Sequence, residues 1–259
     1  MSALALFDTH CHLDYEPLNK QADSLLAAGY QRGIVRTLVP ATTAARFAHL
    51  EAFVSQYPRL SLALGLHPIY LEDHDDAAIE KTAESVVRCR PVAVGEVGLD
   101  YFVETLDRER QQLLFEKMID IATANHLPLV LHVRRSHDAV IATLRRKKFA
   151  FGGIVHAFAG SFEQAVQLIK LGFALGFGGV MTYESARRVR RLAAELALRD
   201  IVLETDAPDM KPANWPEPHN SPLALLNNFQ ALCALRRDSP EDIARATTDN
   251  AFRVLNIVR

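Results

Sequence analysis

Eight short apolar runs rich in β-branched residues recur along the whole chain, and stretches of helical period separate them. The runs are Leu4–Phe7, Gly33–Val39, Leu60–Leu66, Val92–Val97, Leu129–Val133, Gly153–Phe158, Gly172–Phe177 and Ile201–Thr205. Between them, Glu109–His126 places Leu113, Met118, Ile121 and Ala122 near one stripe, and Phe162–Leu171 and Glu184–Leu198 are also amphipathic. Strands alternating with helices imply βαβ units and a mostly parallel sheet. Eight such units in 259 residues predict a closed TIM-type (β/α)8 barrel, one domain over residues 1–259. The alternative is an open doubly-wound sheet. It lacks its usual nucleotide motif, because no GxGxxG or Walker A sequence follows the first run. The Pro-rich segment Asp206–Pro222 follows the eighth run and reads as a long loop over the barrel mouth.

The rest of the composition excludes more than it suggests. The formal charge of −2, from 29 basic and 31 acidic residues, gives no global attraction to nucleic acid or to an anionic membrane. No apolar run reaches the ~20 residues needed to span a bilayer. The N-terminal Met1–Asp8 stretch lacks a basic n-region and is too short for a signal sequence, so none is expected. Three scattered cysteines, Cys11, Cys89 and Cys233, form no CxxC pair and suit a reducing cytoplasm.

Catalytic residues of such a barrel sit at the C-terminal ends of its strands. Here the first run ends in Asp8-Thr9-His10-Cys11-His12, the third in His67 and the fourth in Glu96 and Asp100. The fifth ends in His132, the sixth in His156 and the eighth in Glu204-Thr205-Asp206. Six of eight ends thus carry a side chain able to bind a metal, including five of the ten histidines. Imidazole mixed with carboxylate suits Zn²⁺, Mn²⁺ or Fe²⁺ better than Ca²⁺. His10 and His12 are two apart on an extended segment, so both face one way and can chelate one ion, with Cys11 turned aside. Glu204 and Asp206 share a face by the same parity. Together with His132 and His156, these are enough ligands for two ions, which can activate a water and clamp a displacement at phosphorus. His49, His74, His126, His137 and His219 have no such setting and read as surface or helix residues.

The motif set resembles the TatD family of metal-dependent deoxyribonucleases, within the amidohydrolase-like superfamily. The resemblance runs from Phe7 to Leu255 and rests on Phe7–His12, Gly65-Leu66-His67-Pro68, Gly95–Tyr101, Leu127–Arg134, His156–Ser161, Glu204–Pro208 and Asn250–Arg253. It implies a binuclear centre in a TIM-type barrel, holding two divalent ions (Zn, Mn or Mg) per subunit. His10, His12 and Asp206 would hold one ion, His132 and His156 the other, and Glu96 would bridge them. Asp206 would also orient or deprotonate the attacking water, so Asp206 and Glu96 are the expected catalytic pair. His67 and Glu204 are expected in the substrate pocket or behind the ligands. Arg134, two residues beyond His132, is the candidate phosphate clamp, while Arg135 is expected to be merely solvated. The chain departs from the family at His219-Asn220-Ser221-Pro222, where an Arg-Asn-Glu-Pro stretch is usual.

The expected activity is hydrolysis of a phosphoester, most simply as an exonuclease acting on DNA ends or single-stranded DNA, with no membrane and no obligate protein partner. The basic clusters Arg145–Lys148 and Arg187–Arg191 read as solvated helix faces. One alternative is hydrolysis of a carboxylic ester, lactone or amide. A lysine at the end of the fourth run would favour that branch, and Glu96 stands there instead. A second alternative is a non-catalytic interaction protein on a barrel scaffold, which predicts a degraded ligand set.

Overall fold

In the computed structural model, which describes residues 4–258, eight parallel strands pair in strict sequence order. The strands are β1 (Leu6–Asp8), β2 (Ile34–Pro40), β3 (Leu60–Leu64), β4 (Ala93–Asp100), β5 (Leu129–Arg134), β6 (Gly153–Val155), β7 (Phe173–Phe177) and β8 (Ile201–Leu203). The α-helices among the described residues are α1 (Ala22–Gln31), α2 (Phe47–Ser55), α3 (Asp76–Cys89), α4 (Arg108–Ala124), α5 (His137–Arg146), α6 (Phe162–Lys170), α7 (Arg187–Glu195), α8 (Leu225–Leu235) and α9 (Pro240–Val254). This is the TIM (β/α)8 barrel expected from the alternation. The N-terminal stretch read for a signal begins with residues 1–3, which lie outside the described residues. Among the described residues no helix is long and apolar enough to cross a membrane.

The ring closes between its first and last strands just past their ends. Thr9 N–H donates to Leu203 O at 3.0 Å, His12 N–H to Ala207 O at 2.8 Å, and Asp206 N–H to His10 O at 2.8 Å. Buried Asp8 reinforces the seam by accepting from Thr205 N–H at 2.9 Å and Thr205 Oγ1 at 2.7 Å.

Inside, one buried residue from each strand builds a dry plug: Phe7, Leu38, Ala63, Ala93, Val130, Ile154, Ala174 and Val202. Alternation of side chains along each strand explains this layer, since every second residue points inward. Ala251, Val254 and Leu255 of the last helix pack beneath it. Asn250 Nδ2 donates to Ile201 O and Thr248 Oγ1 to Ala5 O, so α9 lies across the strand starts. One end of the barrel is therefore stoppered, and polar chemistry is left to the other. A second, larger apolar cluster joins the outer strand faces to the surrounding helices. The helices begin where their sequences say: Asp75, Asp107, Ser161 and Ser239 each accept from first-turn N–H groups.

Some ladders are shorter than the apolar runs, while β4 and β5 run past theirs to Asp100 and Arg134. β6 stops at Val155 rather than Phe158, and β8 at Leu203 rather than Thr205. The backbone turns away there, with Ala157 at φ 46° and Asp206 at φ 55°. Residues 206–221 form the long loop expected after β8.

Candidate metal centre

Glu96 sits at the middle of the site because β4 is interrupted. Val94 and Gly95 pair with Leu129 and Val130, and Val97 pairs with Leu131, so Glu96 is skipped in the ladder. Its N–H instead donates to Ala41 O at 3.0 Å, beyond the end of β2. A bulge of this kind re-aims a side chain, and here it sends a carboxylate into the barrel mouth. Gly98 at φ 145° follows, where a Cβ would lie 2.0 Å from His132 O, so only glycine lets β4 stay this close to β5.

Five imidazoles converge on that one buried carboxylate. Oε2 lies 3.0 Å from His10 Nε2 and 3.6 Å from His12 Nε2. Oε1 lies 3.0 Å from His132 Nδ1, 3.1 Å from His67 Nε2 and 3.8 Å from His156 Nε2. Asp206 completes the ring, with Oδ1 3.7 Å from His10 and 3.8 Å from His12, and Oδ2 3.9 Å from His156. Each oxygen of Glu96 thus faces its own set of histidines. Three groupings have donor atoms close enough to share an ion: His10 with His12 and Asp206, His10 with Glu96 and His156, and His67 with Glu96 and His132.

These residues fit divalent cations. His10 Nε2 and His12 Nε2 approach within 3.4 Å of each other in a buried place. Two neutral imidazoles that meet through nitrogen can share only one proton, and a cation satisfies both lone pairs. The Nδ1 atoms of His10 and His12 are buried without a hydrogen-bond partner, so these two rings are oriented by packing and by the centre itself. The His10 and His156 rings stack at 3.8 Å.

The charges follow from crowding. Burial, then His156, push the His10 imidazole well below its ordinary value, leaving a free lone pair. Burial would raise Glu96, but His67, His10 and His156 overcome it and hold the carboxyl well below the usual range. Burial pushes Asp206 up to about 6 against the pull of His156 and His12. Burial would lower His156, yet Glu204, Asp206 and Glu96 raise it to about 10. The fixed anion of Glu96 and the Asp206 carboxyl titrating near neutrality line one cavity of ≈ 230 Å³.

With the geometry in place, the relatives can be read. A family model described as TatD related DNase matches residues 7–256. The chain belongs to the TatD family. It is 39% identical over 252 residues to an uncharacterized metal-dependent hydrolase, YjjV, of Escherichia coli K12, spanning 96% of this chain and 97% of that protein. An uncharacterized metal-dependent hydrolase of Haemophilus influenzae is 34% identical over 263 residues, spanning 96% and 99%. The crystal structure of YjjV, a TatD homolog, superposes with a TM-score of 0.95 at 38% identity, covering 99% of this chain and 100% of that one.

In this TatD-family chain, the six expected ligands His10, His12, Glu96, His132, His156 and Asp206 stand together. Two of the three expected substrate residues have other surroundings. Glu204 is fully buried behind His156. Its Oε1 accepts from Ala157 N–H at 2.7 Å and lies 3.2 Å from His156 Nδ1. Gly176 makes room for it, since a Cβ there would lie 2.2 Å from Glu204 Oε2. It therefore supports His156 and does not reach substrate. His67 points its Nε2 at Glu96 and His132, inside the donor set, while its Nδ1 accepts from Ile69 N–H at 3.1 Å. Arg134 remains at the mouth, exposed, with its guanidinium 4.0 Å from Asp100 and stacked on Phe102.

Several residues have surroundings to which the sequence assigns no role. Asp100 is buried and sits 2.9 Å from His132 Nε2. His74, read as a surface or helix residue, is buried, with Nε2 2.9 Å from His67 O. His137 is buried too. Arg135 shares the Phe102 ring with Arg134 and lines a cavity, so it is more than solvated. The available signal for Asp100 was its place four residues beyond Glu96 in one strand. Three of the eight basic side chains in these clusters pair with their own neighbours: Arg146 with Glu116, Lys147 with Asp120 and Arg191 with Glu195.

Proposed function

We propose that this chain is a metal-dependent hydrolase that cleaves phosphoesters, with DNA ends or single-stranded DNA as its substrate class. One observation carries the reading: the two oxygens of a single buried carboxylate, Glu96, each face a separate group of histidines. A carboxylate so placed suits two divalent ions, for which the mixed imidazole and carboxylate donors favour Zn²⁺ or Mn²⁺. When bound, such a pair lowers the pKa of a water and neutralises charge developing on phosphorus.

The chain's own residues supply the rest. His10 and His12 offer Nε2 lone pairs on one side of Glu96, and His132 Nδ1 and His156 Nε2 face it on the other. Glu96 stays anionic and separates the two groups. Asp206, with a carboxyl raised to about 6 by burial, is suited to accept a proton from water near neutral pH. Asp100 accepts a hydrogen bond from His132 Nε2–H, which fixes the tautomer and leaves Nδ1 for the centre. Arg134 at the mouth can reach a phosphate oxygen and is held ready by Asp100 and Phe102. The TatD membership and the glutamate at position 96 favour this reading over a carboxylic ester, lactone or amide substrate. Three free cysteines support a reducing, cytoplasmic setting.

The test is a substrate panel with added Zn²⁺, Mn²⁺ or Mg²⁺: single-stranded DNA, duplex ends, simple phosphodiesters, carboxylic esters, lactones and amides. Phosphodiester cleavage that disappears in Glu96→Ala and His132→Ala is expected. Full activity in either variant, or activity on esters or amides alone, overturns the proposal.

A further inference from the structure

Beside the metal centre a second and larger cavity opens, ≈ 730 Å³, sharing His132, His156 and Asp206 with it. That volume suits a small organic group rather than a few waters. Its walls are apolar and include Val133, Phe158, Phe177, Val180, Val189 and Met210. Its rim is cationic. Arg188 of α7 and Arg135 after β5 both line it, and both are exposed. Among the described residues, neither has a carboxylate within 4.0 Å, unlike Arg146 and Arg191 in the same basic clusters.

One of the residues lining this cavity carries a buried polar atom that is left over. His137, the first residue of α5, is 9% exposed, lines the cavity, and has an Nε2 with no hydrogen-bond partner. Burial, with Arg188 adding to it, pushes this imidazole down to about 4. It is therefore neutral and offers one donor or one acceptor. A buried imidazole nitrogen without a partner is costly unless a ligand completes it.

We propose that this cavity is the nucleotide subsite of the enzyme: a nucleobase sits between the apolar walls and hydrogen-bonds His137 Nε2, while Arg188 and Arg135 hold the next phosphate along the strand. The inference rests on the phosphoester reading above and adds to it the residues that would recognise base and phosphate. The apolar lining favours the base as the inner group. An anion alone would find partners only at the rim. A π-face against phenyl and aliphatic walls is sequence-tolerant, and guanidinium suits phosphate.

The first measurement is equilibrium binding by calorimetry to the metal-free protein, with dAMP and 2-deoxyribose 5-phosphate as probes. dAMP is expected to bind at least tenfold tighter than the base-free sugar phosphate. That margin should shrink in His137→Gln and in Val180→Trp, which fills the cavity from its half-exposed side, whereas Arg188→Ala should weaken both probes alike and leave the margin in place. The second is kcat/KM of the metal-loaded protein on a dinucleotide relative to methyl p-nitrophenyl phosphate. That ratio should fall about tenfold in Arg188→Ala, through KM. Equal affinity for the two probes, or an unmoved ratio, overturns the subsite. Base-dependent binding without cleavage of any phosphoester keeps the subsite and sinks the proposed reaction. Cleavage of simple diesters with equal binding of both probes does the reverse.

Discussion

Asp100 Oδ2 lies 2.9 Å from His132 Nε2, while the Nδ1 of the same ring lies 3.0 Å from Glu96 Oε1. One carboxylate thus fixes the tautomer of a ring whose other nitrogen faces the centre. Burial raises Asp100, but its bond with His132 outweighs that and keeps the acid ionised. The two residues belong to neighbouring strands, with Gly98 opposite His132 in the ladder.

Replacing Asp100 by asparagine keeps an acceptor but removes the charge. Metal affinity is expected to fall about 10–100-fold, as for other groups that orient a ligating histidine. Competition with a chelating dye measures this, and circular dichroism should show the fold intact. Wild-type affinity in the variant would rule out this role.

Gly176→Ala should damage the site from behind. The new Cβ would lie 2.2 Å from Glu204 Oε2, in a place with no solvent to move into. Glu204 must shift, and its 2.7 Å bond from Ala157 N–H is lost. The expected cost is about 2 kcal/mol, the scale of a buried hydrogen bond to a charged group. For a chain of this size that is a drop in Tm of roughly 4–8 °C. Gly178→Ala, whose Cβ would meet Glu204 only at 3.3 Å, should cost much less. Equal melting temperatures for Gly176→Ala and wild type would contradict the packing described.

Ions that bind the folded chain alone must stabilise it. At a free concentration about 100 times Kd, one site contributes about 2.7 kcal/mol. Thermal melts with Zn²⁺ or Mn²⁺ and with a chelator should therefore differ by roughly 5–10 °C. Glu96→Gln, with the shared carboxylate neutralised, should abolish most of the difference. A metal-insensitive wild-type melt would argue against the centre.

His137 gives a pH dependence outside the metal centre. Its ordinary pKa of 6.5 falls to about 4 in the fold, first by burial and then by Arg188. Between those values the unfolded chain binds the extra proton. The contribution to stability is therefore complete above pH 6.5 and is lost as pH falls toward 4. From pH 7.5 to pH 5 the wild type should lose about 2 kcal/mol more than His137→Gln. Urea midpoints at the two pH values measure the gap. Parallel losses in both proteins would refute the assignment.

The barrel and most of its site could be read from the chain because both rest on local patterns. Alternation of period two fixed which side chains turn inward, and His10 with His12 meet through their Nε2 atoms as that parity predicts. Histidines and carboxylates at the run ends marked the candidates, and the resemblance to the TatD family singled out six of them as ligands. His67, expected in the pocket or behind the ligands, stands among the donors, and Glu204, under the same expectation, lies behind His156. Both depend on how far each strand continues before the backbone turns, as at Ala157 and Asp206, and those turns leave no periodic trace.

What the sequence by itself determined was the number of strands, their order and the identity of the six converging polar side chains, because each is a property of a short segment. What only the tertiary structure decided was the pairing between segments. The bulge that aims Glu96, the contact of Asp100 with His132 and the arginine-rimmed cavity around His137 all follow from how neighbouring strands and helices register. A one-residue slip would exchange every inward side chain for its neighbour, and nothing within a single strand records that choice.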